Sequence, residues 1–581
     1  MWQDRDFGPS FDKRTEIFAQ PLTDDTSFPF KIPDELSVPP TQESDEEDEE
    51  QATPVEVDWS NLPSRVWQVP LESADYVDIA VNEGFLYALT AESAGAEIKS
   101  LKLAPDEKAE TFTDSVAGME LSNDGKKLLV LKEADDEISV FVVAAEAKFP
   151  EDASKNTVQT SGWSIRIDPR AEWRQLFHDA WLMHRELFFD PEMRGLDWAE
   201  IRQKYLPLAE RVTDRHELND VLGQMIGELN ALHSQVRGGD VPSDPEAPAP
   251  SILGAAFTQT NSGVAISRIY HHDREVPSRA PPLAQAGVNA ADGDVIAEIN
   301  GVEVSTMVDL NRALRNQAGK QVLLGLVRGR ESVETVVVPS AAGQDSQFRY
   351  NDWVHRNRSK VESAGADLGY VHLRAMGGRD AGEFAREFYA SGNKKGFIID
   401  VRRNNGGNID SWIIERLLRK AWAFWSYRSD EPYVNMQNAF RGHLVVLADE
   451  RTYSDGETFT AAIKALDIAP VIGKRTAGAG VWLTGRNRLS DGGIARVAEF
   501  PVFALDGSWI VEGHGVSPTI EVDNLPHETY MGRDAQLEAA IEYLRRKLEE
   551  EPVPDLKPGP FSEYGAPAQD VGRYLGAPST Q

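Results

Sequence analysis

No cysteine occurs in the 581 residues. Disulfides, thiolate zinc sites and a cysteine nucleophile are therefore excluded. Long apolar runs are missing too: none approaches the ~20 residues that a membrane-spanning helix needs. The opening Met1-Trp2-Gln3-Asp4-Arg5-Asp6 has neither the basic nor the apolar region of a signal peptide, so none is expected there. Positive charge is scarce, with 60 lysines and arginines against 94 aspartates and glutamates, a formal net charge of -34. So acidic a surface repels phosphates and anionic lipid, and neither nucleic acid nor membrane is expected as a partner. Apolar residues make up 41% of the chain, enough to bury cores. Single cores stop growing near ~250–300 residues, so about three to five domains are expected.

The texture changes along the chain. Glu43 to Glu50 (ESDEEDEE) is a block of like charge that stays solvated and reads as a disordered spacer. From 57 to 146 short apolar runs alternate with turns. They include Tyr76–Val81, Gly84–Leu89, Lys127–Leu131 and Ile138–Val143, with the hairpin signal Asn123-Asp124-Gly125 before the third. Two or three propeller blades fit this length better than a closed propeller. At Arg170 the period becomes helical, with Trp173, Leu176, Phe177, Ala180, Trp181, His184 and Leu187. Asp197–Tyr205 and His216–Leu232 continue it. Residues 251–340 return to β runs around one helix, Met307–Asn316. From 365 to 545 strands and helices alternate, with helices at Ala381–Tyr389, Ile409–Trp425, Gly456–Leu466 and Asp534–Leu548. This pattern predicts an at least partly parallel sheet.

Two turns in this last region can carry chemistry. Asp400 to Gly407 (DVRRNNGG) ends a buried strand and precedes a helix; its glycines let backbone amides face a cleft. Thr452-Tyr453-Ser454-Asp455-Gly456-Glu457 also follows a buried strand. It suits a serine held on a sharp turn, and equally a helix cap in which Ser454 and Glu457 form a capping box. Both turns open at the carboxyl ends of strands, where α/β folds bind ligands. His233, in Glu228-Leu229-Asn230-Ala231-Leu232-His233-Ser234, is a candidate base. Gly473-Lys474-Arg475 lacks the Walker spacing, Gly478-Ala479-Gly480 is too small for a dinucleotide fingerprint, and His271-His272-Asp273 reads as solvated surface rather than a metal site.

Several motifs in one order resemble the tricorn protease family. They are Asp4–Phe7 and Val55–Trp59, Asp197-Trp198, Glu228 to His233, Asn404 to Gly407, Tyr453-Ser454-Asp455-Gly456 and Glu512-Gly513-His514-Gly515-Val516. Between them, Leu253-Gly254-Ala255-Ala256-Phe257 followed by Gly293 to Gly301 (GDVIAEING) resembles a PDZ domain. The resemblance implies a multidomain α+β chain. A partial β-propeller of late blades would occupy 1–165, with the acidic linker at 41–54. A helical core domain (166–245), a PDZ domain (246–345), a crotonase-like (ClpP-like) α/β sandwich (346–548) and a loose tail (549–581) would follow. It further implies a serine endopeptidase of short or unfolded peptides, needing no metal or cofactor. Ser454 would be nucleophile, His233 general base and acid, and Glu512 the group that orients the imidazole. The amides of Gly407 and Asp455 would form the oxyanion hole, with Gly406 as a lesser donor. Asp455 and the PDZ residues Gly254, Ala255 and Phe257 would touch substrate. The family also implies a homo-oligomer, a hexamer, in the cytoplasm. By its architecture this chain would be the C-terminal half of a longer protein whose true start is missing.

One position departs from the family. A serine usually precedes the base histidine and bridges it to the glutamate; here Leu232 stands there. Ser234, a water or a direct His233–Glu512 contact are the substitutes left open, and so is an inactive peptide-binding scaffold. The carboxyl-terminal processing peptidases share the PDZ domain and sandwich but use a lysine base. That lysine would fall at Ala479, with Lys474 out of phase.

Overall fold

The computed structural model describes residues 15–559, apart from 24–25, 27, 32–56, 60–61, 63–64, 92–94, 135–136, 243, 245 and 427–431. The acidic linker, Asp4–Phe7, Val55-Glu56 and most of the tail lie outside the described residues. The chain divides into two compact units, Met1–Ile167 and Asp168–Gln581.

In the first unit the alternating runs form two four-stranded antiparallel sheets. One joins β1 (Tyr76–Val81), β2 (Phe85–Thr90), β3 (Glu97–Lys102) and β4 (Glu110–Asp114). The other joins β5 (Val116–Leu121), β6 (Lys127–Ala134), β7 (Glu137–Ala144) and β8 (Thr157–Val158). Both are meanders, the form of a propeller blade. Tyr87, Ile98 and Phe112 of one meet Leu128, Val130 and Val143 of the other in a shared core.

The second unit begins with α1 (Pro169–Leu187), α2 (Trp198–Ala209) and α3 (Arg215–Gly227). Asp168, Asp197 and Asp214 cap them through their carboxylates. The helical pattern read through Leu232 stops at Gly227. Leu229 and Asn230 make tight turns back to Ile226 and Gly227. Asn230 then takes φ 48°, a left-handed conformation that asparagine tolerates better than most residues. The chain thereby leaves the helix axis and delivers His233, before β9 (Gln235–Arg237).

A PDZ sheet follows in the order β10 (Ala255–Thr260), β11 (Gly263–Ile269), β12 (Val295–Ile299), β13 (Val322–Arg328), β14 (Glu331–Val337), with α4 (Met307–Ala313) against it. Next comes α5 (Asp345–Ala364), for which the sequence pattern gave no assignment. The α/β layer holds β15 (Leu368–His372), α6 (Gly378–Ala390), β16 (Gly396–Asp400), α7 (Asp410–Leu417), β17 (His443–Ala448), α8 (Asp455–Ala465), β18 (Val471–Gly473), β19 (Ile494–Arg496), β20 (Ile520–Glu521) and α9 (Ala535–Glu550). Its five strands run parallel in the order β15-β16-β17-β18-β20. One face packs on Phe384, Ile413 and Phe459 of α6, α7 and α8; the other packs on Val361 of α5 and Leu537 and Leu544 of α9. Burial on both faces explains why these strands read as continuous apolar runs. The single helix expected over 409–425 is not formed. It ends at Leu417, and Ala423–Trp425 pairs with Tyr433–Asn435 as a hairpin. The aromatic pair Phe424-Trp425 suits a strand better than another helical turn.

Candidate active site

The two turns singled out in the sequence lie side by side at the carboxyl ends of β16 and β17. They are stitched together by Thr452 Oγ1 donating to the Val401 carbonyl (2.8 Å), the Tyr453 amide to the Asn404 carbonyl (2.9 Å) and the Arg403 amide to Asp449 Oδ1 (2.8 Å). Ser454, at the N-terminus of α8, has φ 56° and ψ -124°, a strained conformation for a non-glycine residue. Its Oγ is 2.9 Å from Nε2 of His233, 221 positions earlier in the chain. The Ser454 hydroxyl thus meets the imidazole, and Glu457 accepts the Ser454 amide at 3.2 Å as in the capping box read from the sequence.

The glycines beside it divide their work. A Cβ on Gly406 would sit 2.4 Å from Ser454 Cβ, so only glycine leaves room for the serine. The Gly406 amide donates to Asn404 Oδ1 at 2.8 Å, which removes it as an oxyanion donor. Gly407 has φ 155°, and a Cβ there would lie 1.8 Å from the Met376 carbonyl oxygen. Among the described residues the amides of Gly407 and Asp455 donate to no protein acceptor. They are the two free N–H groups that flank Ser454 from the two turns.

Asp455 is fully buried. Its Oδ2 accepts the Ile409 and Asp410 amides at 2.8 and 3.2 Å, holding the start of α7. Burial, with the neighbouring Asp410 carboxylate adding to it, pushes this carboxyl up to about 7. The side chain thus anchors the start of α7. Gly254 (φ 73°) packs under Pro281 at the start of β10, the edge strand that Ala255 opens and Phe257 continues. None of these three PDZ residues touches the Ser454 cluster.

Glu512 does not reach the histidine. Its Oε2 accepts the Gly480 and Val481 amides (2.9 and 3.2 Å), and its Oε1 faces Arg194 Nη2 at 3.3 Å. Among the described residues His233 Nδ1 has no hydrogen-bond partner. The Ser234 hydroxyl accepts from the Ala498 amide at 3.4 Å, and Leu232 is 47% exposed. Neither a direct contact nor a serine therefore replaces the family's bridge. Burial pushes the His233 imidazole down to about 4, and the Arg496 guanidinium adds to the effect. Burial likewise raises the Glu512 carboxyl.

Three residues to which sequence reasoning gave no part in positioning the histidine and its loop hold this arrangement. The Tyr453 ring lies 4.8 Å from the His233 ring, tilted by 45°, and its hydroxyl donates to the Leu232 carbonyl at 2.9 Å, clamping the histidine's loop. Glu457, fully buried, also accepts Thr476 Oγ1 (2.6 Å) and the Gly478 and Ala479 amides (2.6 and 2.7 Å). Arg194, at φ 56°, donates to the Asn230 carbonyl at 2.7 Å and ties the histidine's turn to Glu512. Tyr453 and Glu457 had a signal, since both flank Ser454; Arg194 had none. At the lysine position of the rival peptidases Ala479 is fully buried, and Lys474 pairs with Glu521 and Asp523. His271 lies exposed at the surface, as expected, where Nδ1 bonds Asp352 at 3.0 Å and the ring stacks on His355. No helix among the described residues is long and apolar enough to cross a membrane.

Comparison with known proteins agrees with this architecture. Three family models match: the tricorn protease C1 domain at residues 169–227, the tricorn protease PDZ domain at 251–342 and peptidase family S41 at 367–522. Tricorn protease homolog 1 of Streptomyces coelicolor is 32% identical over 520 residues, 86% of this chain and 48% of that protein. The tricorn protease of Thermoplasma acidophilum is 27% identical over 545 residues, 93% of this chain and 49% of that protein. A crystal structure of the tricorn protease superimposes with a TM-score of 0.82 at 25% identity, covering 94% of this chain and 52% of that one. The chain spans about half the length of the curated relatives it matches. On fold, domain order and sequence, the chain belongs to the tricorn protease family.

Proposed function

We propose that this chain is a serine peptidase that cleaves short or unfolded peptides through an acyl-enzyme on Ser454. The observation that carries the reading is the 2.9 Å hydrogen bond between His233 Nε2 and Ser454 Oγ, two groups that only the fold brings together. His233 is neutral at pH 7, because its pKa is held near 4, and a neutral imidazole can accept the serine proton. Oγ attacks the peptide carbonyl as its proton passes to Nε2. The oxyanion that forms lies beside the Gly407 and Asp455 amides, each such donor contributing about 3–4 kcal/mol. The imidazolium then protonates the departing amine. Water, deprotonated by the same nitrogen, releases the acyl group and restores Ser454. The family also supports a homo-oligomeric, hexameric peptidase acting in the cytoplasm on pre-cut peptides.

The test is covalent labelling and turnover. A fluorophosphonate is expected to label Ser454, and Ser454→Ala is expected to lose both the label and cleavage of short fluorogenic peptides, by about 10⁴-fold or more. Equal inertness of the parent chain and Ser454→Ala, with no label on either, sinks the proposal.

A further inference from the structure

The ribbon of β9 and β19 has two unlike faces. Its register pairs Gln235 with Arg496, Val236 with Ala495 and Arg237 with Ile494. Directly opposed residues share a face and neighbours along a strand alternate. Val236 and Ala495 join the helical core, where Ala495 is fully buried. Gln235, Arg237 and Arg496 therefore share the other face. Gln235 shows where that face looks: its Nε2 donates to the Tyr453 hydroxyl (3.2 Å) and the Leu232 carbonyl (3.1 Å), the two groups that clamp His233.

Two arginines thus stand side by side on the wall of the Ser454 cleft. Arg496 is half-buried; burial lowers its pKa, and the Arg237 charge lowers it further. No carboxylate is among the groups acting on it, and among the described residues neither arginine makes an ion pair. Elsewhere in this unit the buried guanidinium groups of Arg215 and Arg402 are matched, with Asp491 and with Asp400 and Asp534, and the half-buried Arg194 is matched with Glu512. Leaving Arg496 partly desolvated with an exposed like charge, Arg237, as its neighbour is costly. It is odder still in a chain with 34 more acidic than basic residues. An incoming carboxylate would satisfy both guanidinium groups, by charge-assisted and bidentate hydrogen bonds that lysine could not reproduce.

We propose that Arg496, with Arg237 beside it, is a carboxylate-binding subsite, so that preferred peptides carry an acidic side chain or a free C-terminal carboxylate near the bond to be cut. This rests on the peptidase reading and adds a substrate class to it. The local charge selects against the expectation from net charge alone, which would favour basic or neutral peptides.

Binding to the full chain carrying Ser454→Ala tests the subsite without turnover. Fluorescent peptides are compared in pairs, Glu against Gln at one position at a time, and free acid against amide at the C-terminus. At least one acidic member is expected to bind roughly tenfold or more tighter than its neutral twin. The pair that shows the difference tells side chain from terminus. Adding Arg496→Gln should bring the twins within about twofold, Arg496→Lys should keep part of the preference, and Arg237→Gln should lower it less. Thermal melts of each variant check that the ribbon still folds. Equal binding of all twins, no binding of any acidic peptide, or a preference that survives Arg496→Gln with Arg237→Gln overturns the proposal. Charge-selective binding without cleavage by the parent chain would instead sink the peptidase reading and leave the subsite standing.

Discussion

Glu457 and Glu512 hold opposite ends of one loop, Thr476 to Val481, with carboxylates that are both buried and both raised in pKa by burial. Glu457 accepts four hydrogen bonds, one of them from the amide of Ser454 itself. Glu512 accepts two backbone amides and a longer contact from Arg194, and leaves the imidazole alone. The residue that the family pattern marks as the histidine's partner is, in this chain, a loop anchor. The residue that reads as an ordinary helix cap is the one bonded to the amide of Ser454. The histidine is oriented instead from the serine's side, by the Tyr453 ring and the hydroxyl's grip on the Leu232 carbonyl.

Removing one charge from each carboxylate is the direct way to break that comparison. Glu457→Gln leaves at least one of its buried amide donors facing an amide NH₂. The expected cost is about 1–3 kcal/mol per unpaired donor, seen in urea unfolding. Because the same carboxylate fixes Ser454, peptide cleavage should fall with it, by about 100-fold, since misplacement by an ångström costs that much. A Glu457→Gln protein with native stability and rate would return this residue to the role of a plain cap.

The acid limb of the pH profile sharpens the same contrast. A carboxylate facing His233 would hold its pKa at or above the ordinary value near 6.5, whereas burial beside Arg496 puts it at about 4. The sign follows from which form is active. In the proposed mechanism the neutral imidazole is the base, so kcat/KM for a neutral peptide should stay level as pH falls from 8 to 5 and drop only near 4. A histidine of ordinary pKa would already have lost about 30-fold at pH 5. The depressed pKa also means that the unfolded chain binds the proton more readily, so this group's contribution to stability declines as pH falls from about 6.5 towards 4. A limb centred near 6.5 would show that a negative charge reaches the imidazole after all.

Glu512→Gln should do less to the rate than Glu457→Gln. Loss of an orienting carboxylate that fixes the imidazole tautomer costs about 10⁴-fold in a working triad. A carboxylate that holds the 480–481 amides and Arg194 is expected to cost about tenfold, with some loss of stability. A 10⁴-fold fall in kcat with an unchanged melting curve would restore Glu512 to the histidine and make the unpartnered Nδ1 a feature of the free chain alone.

The sequence made the parts of this site legible more readily than their connections. Strands β15, β16 and β17 were visible because burial on both faces keeps the runs mostly apolar, with polar residues chiefly at their ends, and the turns were visible because Gly406, Gly407 and Ser454 stand where those runs end. The amide that Gly406 lends to Asn404 left no trace in spacing, so donor and spacer could not be told apart. His233 was found as a motif, but its delivery depends on α3 stopping at Gly227, and the apolar period through Leu229 and Leu232 argued for helix. Asn230 was the local sign of the break, outweighed by that periodicity. Hydrogen bonds between distant segments, Arg194 to Glu512 and Glu457 to Ala479, leave no periodic mark at all, and these decide which carboxylate serves which group.

The smallest expected effect concerns the position that departs from the family. If a bridging hydroxyl were all that this chain lacked, Leu232→Ser would restore it and raise kcat. The structure argues otherwise. Leu232 is largely exposed, and its carbonyl, not its side chain, is the group engaged by Tyr453 and Gln235. A serine there keeps those backbone bonds and loses only a half-solvated apolar surface, so stability should change by about 0.5 kcal/mol or less. Its hydroxyl would start out in solvent, while Glu512 stays committed to Gly480, Val481 and Arg194. The rate on a neutral peptide is therefore expected to stay within about twofold of the parent. A rise of tenfold or more, lost again in Leu232→Ser with Glu512→Gln, would show that the two carboxylates differ less than their contacts suggest. Glu512 would then be a partner waiting for its bridge.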